Sequence, residues 1–146
     1  MNTDLISDFV RYAAKELGLQ KTPKVILTQN REEGMTTAYY SPSENLVKVY
    51  VKGRANVDVC RSTAHEMIHH RQNEQGQLRT GNPIPDIGGP IEDEANAVAG
   101  QLIKKFVKDT GRRELYNESV GRKPSRTGMY ELQKLLLLTD TLLTEE

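Results

Sequence analysis

One cysteine, Cys60, stands in a chain of 146 residues that has no tryptophan. A lone thiol excludes an internal disulfide and suits a reducing compartment. Without tryptophan, the core must lean on Leu, Val, Ile and Ala. Nowhere do 18 consecutive apolar residues occur, so no segment has the make-up of a membrane-spanning helix. The first turns carry Asp4 and Asp8 among their apolar residues and lack the uninterrupted apolar stretch of a signal peptide. Net charge is missing too: 20 basic residues balance 20 acidic ones, so no global field draws the protein to nucleic acid or membrane. Repeats and interdomain linkers are absent, and the length suits one domain with a real core. The expectation is a single cytoplasmic α+β domain over residues 1–146, soluble and without a membrane partner.

What is present begins with Leu5, Ile6, Phe9, Val10, Ala13 and Leu17 at helical spacing, closed by Gly18 with Leu19 packing back; this predicts a helix over 4–17. A short apolar run at 24–28 follows Pro23, and residues 36–40 and 46–51 flank a turn-forming Ser41-Pro42-Ser43-Glu44-Asn45. These segments predict a small sheet of about three strands. Val47, Val49 and Val51 alternate with Lys48 and Tyr50, the period of a half-buried antiparallel strand. Asn56 or Asp58 is placed to cap a second helix that fades near Gly76. Residues 76–90 hold four Gly and three Pro, which no helix survives. Pro90 fits the first position of a third helix running to about Asp109, with Glu92, Asp93 and Glu94 favouring its positive end. A basic connection and a Leu-rich helix (Leu132, Leu135, Leu136, Leu138, Leu142) complete the chain.

The second helix carries His65-Glu66-Met67-Ile68-His69-His70, within which lies His-Glu-x-x-His. Positions i and i+4 share one helix face, so two imidazoles there can bind a single metal ion. A carboxylate one residue after the first His sits where it can take a proton from water. The spacing therefore supplies two zinc ligands, His65 and His69, and a general base, Glu66. At about 100° per residue the apolar arc of this helix holds Val57, Cys60, Ala64, Met67 and Ile68, and the two histidines lie outside it. Gln72 extends the His face by a turn. His70 points about 100° away from His69 and is read as a surface or second-layer polar residue. Cys60, on the apolar side, is read as a small buried hydrophobe.

A catalytic zinc needs a third protein ligand and an open position. Asp86 lies in the Gly/Pro segment and is a weak choice, which leaves Glu92-Asp93-Glu94. Acids in a first helical turn are expected from the helix dipole alone, so phase has to separate them. Relative to the buried direction defined by Ile91, Ala95, Val98, Ala99, Leu102 and Phe106, Glu92 falls about 60° away, Glu94 about 100° on the other side and Asp93 nearly opposite. Glu92 is favoured as the ligand, Glu94 is the alternative and otherwise a capping or surface acid. Asn96, one turn below Glu92, is placed to hydrogen-bond a ligand His.

His65-Glu66-x-x-His69 followed by Glu92-x-Glu94-Ala95-Asn96 resembles the minimal gluzincin zinc metallopeptidases of the ImmA/IrrE and phage-encoded type, over about residues 25–106. The resemblance implies a zincin-like minimal domain and Zn2+ held by His65, His69 and Glu92, the first Glu of a Glu-x-x-x-Asn pattern. It also implies a strand, residues 46–51, that offers its edge to an extended protein or peptide substrate. The chain departs from larger gluzincins in having no evident second domain and no further His for the transition state. Tyr116, Tyr130 or Arg126 are the substitutes for that role. Two rival readings remain: a non-enzymatic DNA- or protein-binding module with a structural zinc, and an SprT-like peptidase acting on DNA-associated proteins. Support for the last is a local excess of charge, nine Lys/Arg against four acids over residues 101–135, although a basic stretch such as 104–126 is more often a solvated face. Residues 82–87 either border the substrate channel, because long loops without regular structure are commonly functional, or form a passive connector.

Overall fold

The structure is a computed structural model that describes residues 2–31, 37–78, 89–116 and 141–142. Helix α1, Thr3–Leu17, is opened by Asn2, whose side chain accepts a hydrogen bond from the Leu5 backbone N–H at 3.0 Å. It ends at Gly18 in the left-handed region (φ 64°), where a side chain would be strained, and Leu19 N–H returns to Ala14 O. Strands β1 (Lys24–Thr28), β2 (Ala38–Ser41) and β3 (Leu46–Tyr50) follow, then α2 (Asn56–Glu74) and α3 (Pro90–Thr110). A 3-10 turn over Arg113–Tyr116 and a two-residue strand β4, Thr141–Leu142, complete the described elements. The architecture is α+β, as the patterning predicts.

The strand order is β2-β3-β1-β4. β3 runs antiparallel to β2 and parallel to β1, so the sheet is mixed. This overturns one expectation. Residues 46–50 are hydrogen-bonded on both sides and offer no edge to a peptide; among the described strands β2 is the outer one on this side and β4 on the other. Alternation along a strand reports which face is buried, and here Val47 and Val49 are fully buried, but it carries no information about which strands lie on either side. The Leu-rich terminal helix falls outside the described residues except at Thr141–Leu142, which pair antiparallel with Leu27 and Ile26 of β1. There Leu142 belongs to a strand, because the side of β1 away from β3 presents ladder groups that need partners.

α2 packs against α1, α3, β2 and β3, so it is covered from several directions. Burial reaches beyond its apolar arc to Thr63, His69, His70 and Gln72. The buried core joins Phe9 of α1 to Phe106 of α3 edge-on, ring centroids 5.2 Å apart, together with Leu27, Val47, Met67, Ile68 and Ile103. The N-terminus of α2 differs from expectation. Ala55 is its N-cap and makes no side-chain cap bond. Asn56 instead accepts from the Asn2 backbone N–H at 3.0 Å, tying α2 to α1. Arg54 steadies the same end through Tyr50 O at 2.8 Å and Ser62 Oγ at 2.6 Å. α3 begins as the sequence predicts, with Pro90 in its first turn, and ends at Gly111. No helix among the described residues is long and apolar enough to cross a membrane.

Candidate metal centre

The i, i+4 spacing sets the His65 and His69 rings on one face of α2, and α3 brings Glu92 against them from its first turn. His65 Nε2 lies 3.1 Å from Glu92 Oε2, His69 Nε2 lies 2.9 Å from Glu92 Oε1, and the two Nε2 atoms are 3.1 Å apart. Donors held about 2.0–2.1 Å from one tetrahedral ion stand about 3.3 Å from each other. The observed triangle is close to that spacing, and these three residues form a group whose ligand atoms all lie within 4.8 Å of one another. Two imidazole nitrogens and a carboxylate are also the donor set that suits zinc. Among the described residues three protein donors converge.

Burial pushes His65 below the ordinary imidazole value, and the neighbouring His69 adds to this, while Glu92 and a hydrogen bond with Asn96 oppose it. A neutral imidazole keeps the lone pair that a metal needs. Asn96 therefore stands where phase places it. Glu66 lies in the same helix turn, and burial, aided by the negative charge of Glu92, pushes its carboxyl up to about 8. Desolvation disfavours the charged carboxylate, and a second anion nearby does the same.

Glu94 does not join the cluster. Its Oε1 accepts from Gln72 Nε2 at 3.0 Å, and Arg71 reaches it more distantly at 3.9 Å. Gln72, fully buried, also donates to Ile91 O at 3.1 Å and meets His69 Nδ1 at 2.8 Å through its Oε1. The spacing from His69 to Gln72, i to i+3, signals proximity, but nothing local in the sequence shows what the far end of that amide touches.

For His70 the surface half of the expectation falls. It is buried, 2 % exposed, and not a surface residue. Its Nε2 faces Lys21 O at 2.6 Å and its Nδ1 faces the Tyr40 hydroxyl at 2.8 Å. A carbonyl only accepts, so Nε2 is the donor; Nδ1 accepts from Tyr40, and Tyr40 accepts from Asn73 Nδ2 at 3.1 Å. One turn on, Glu74 accepts from the backbone N–H groups of Gln20 and Lys21 at 3.1 and 2.9 Å. His70 and Glu74 thus clasp the end of α2 to the segment leading into β1, which is work that the sequence does not display.

The basic segment is partly in view. Lys104, Lys108 and Arg113 line a shallow hollow of about 420 Å³ with Val107, Gly111 and Tyr116. Tyr116 is exposed and lies against the stretch of α3 from Lys104 onward, roughly three helical turns beyond Glu92. Asp86, Arg126, Tyr130 and the channel loop 82–87 lie outside the described residues. Cys60 is fully buried, as read. Comparison with protein-family models, with curated proteins and with solved structures finds no match to this chain.

Proposed function

We propose that the chain is a zinc-dependent peptidase of minimal gluzincin type, with His65, His69 and Glu92 as ligands and Glu66 as general base. The observation that carries this reading is the convergence of three metal-ligating atoms within 4.8 Å, with the half-buried Glu66 next to His65 in the same helix turn. A bound zinc ion supplies Lewis acidity, polarising a peptide carbonyl and acidifying water. His65 and His69 present Nε2; Gln72 orients His69 through Nδ1, and Asn96 hydrogen-bonds His65. Glu92 contributes the negative charge that offsets a dication. Glu66, as carboxylate, takes a proton from the attacking water and returns it to the departing amine. The substrate is a protein or peptide, and β2 is the outer strand beside α2 against which an extended segment would lie. A reducing, cytoplasmic setting fits the lone buried Cys60.

The rival is a non-enzymatic module in which the same three donors hold a structural zinc. Zinc content and cleavage of proteome-derived peptides test the two together. The expected result is about one zinc per chain, peptide hydrolysis by the native protein, and loss of hydrolysis by orders of magnitude in Glu66→Gln with zinc retained. Zinc binding with no hydrolysis of any peptide would support the non-enzymatic module instead, and a protein that binds no zinc would sink both.

A further inference from the structure

We infer that Gln72 is a positioning residue that holds His69 in the tautomer needed for metal binding and locks the Glu92-bearing turn of α3 to it. The inference rests on the metal-binding half of the proposed function and is independent of peptide hydrolysis.

The Gln72 side-chain nitrogen faces Ile91 O at 3.1 Å and Glu94 Oε1 at 3.0 Å. A carbonyl oxygen and a carboxylate oxygen only accept, so this end of the amide must be the NH2 group. The other end is then the oxygen, and it faces His69 Nδ1 at 2.8 Å. An amide oxygen only accepts, so Nδ1 carries the proton. A neutral His69 protonated on Nδ1 has its lone pair on Nε2, the atom that lies 2.9 Å from Glu92 Oε1 and 3.1 Å from His65 Nε2. Ligating histidines characteristically have their second ring nitrogen fixed in this manner.

The same amide grips α3 on both sides of Glu92 in sequence, through the carbonyl of Ile91 and the side chain of Glu94. Two helices that supply different ligands are thereby held in register by one fully buried side chain. Glu94 has a part in this. It aims the Gln72 amide and is not itself a ligand.

The test uses the full chain, freed of metal, with zinc as the probe in competition with a chromophoric chelator. Imidazole 15N shifts are read in the same samples above the imidazole titration, where only three histidines need assignment. In the native protein His69 should be protonated on Nδ1; protonation on Nε2 overturns the inference by itself. Gln72→Leu should release the tautomer to a mixture and weaken zinc binding about 10- to 100-fold. Gln72→Glu keeps an acceptor for His69 but sets a carboxylate against Glu94, so it should bind zinc less tightly than native protein. Adding Glu94→Gln to it exchanges the two groups and should restore most of that loss, which a merely space-filling role for Gln72 would not produce. Native zinc affinity with an unchanged His69 tautomer in folded Gln72→Leu would overturn the proposal. If that variant fails to fold, absence of rescue in the exchanged pair does so. A native protein that binds no zinc, yet shows a His69 Nδ1 proton that Gln72→Leu releases, would count against the metal reading and for Gln72.

Discussion

At the scale of the residue, the buried carboxyl of Glu66 has a consequence for folding. An ordinary Glu titrates near 4.5, and this one is pushed up to about 8. Between those values the folded protein holds a proton that the unfolded chain has released. Stability of the metal-free protein is therefore lowered as pH rises through that window, with the whole penalty present above about 8. His65, whose pKa is lowered chiefly by burial, works in the opposite direction around the ordinary imidazole range. Comparison of variants isolates the Glu66 part. Glu66→Gln should flatten the decline and leave the metal-free protein more stable than native at pH 8–9, by about 1–3 kcal/mol; urea midpoints at pH 5, 7 and 9 measure it. An identical pH profile in the two proteins would mean that Glu66 is more solvated than its surroundings imply. The two neighbouring acids of α3 also separate at this scale. Glu92→Gln removes a converging donor and should weaken zinc about 10- to 100-fold or more, whereas Glu94→Gln keeps an acceptor for Gln72 and should change affinity by less than about threefold. The reverse order, read by chelator competition, would place the ligand on the wrong carboxylate.

At the scale of the element, α2 does two jobs with adjacent histidines. His69 faces α3 and the metal donors, while His70 faces β2 and the strand entry at Lys21. A helix turns about 100° per residue, so consecutive positions necessarily serve different neighbours. His70→Ala removes the bonds to Lys21 O and to the buried Tyr40 hydroxyl, which keeps Asn73 as a partner, and should cost about 1–3 kcal/mol in urea unfolding of the metal-free protein. Zinc affinity measured on the folded fraction should fall much less than in His69→Ala. Equal loss of zinc in the two variants would show that the clasp and the metal donors are one unit. The sheet teaches a related lesson. β3 reads correctly as a half-buried strand, yet its neighbours on both sides make it a central one, and the outer position belongs to β2.

At the scale of the whole molecule, the metal donors come from two helices separated by residues 75–89, so an ion bound there adds a further tie between elements already joined by packing and by the Gln72 amide. A ligand that binds the folded state alone stabilises it by about 2.7 kcal/mol at a hundredfold excess over Kd. Zinc should accordingly raise the Tm of the metal-free protein by several degrees, with the shift growing as zinc is raised. His65→Ala combined with His69→Ala should abolish the dependence while leaving the apo protein folded, since the apolar core of Phe9, Met67, Ile68 and Phe106 is untouched. A native protein whose Tm is indifferent to zinc would remove the metal site.

Much of this was legible in the chain because it is local. The spacing of Leu5, Phe9 and Ala13, the stop at Gly18, and Pro90 at the head of α3 are each determined within a turn or two of helix, and α1 and α3 follow them. The His65–His69 spacing is a property of one helix, and helical phase alone prefers Glu92 to Glu94. Other features depend on partners far away in sequence, and only the tertiary structure decided them. The place of β3 between two strands, the Lys21 and Tyr40 contacts that bury His70, the pairing of Leu142 with Ile26, and the grip of Gln72 on Ile91 and Glu94 are of this kind. Periodicity records which side of an element is buried; it does not record what lies against that side, because hydrogen-bond partners and strand neighbours are chosen by the packing of the whole chain.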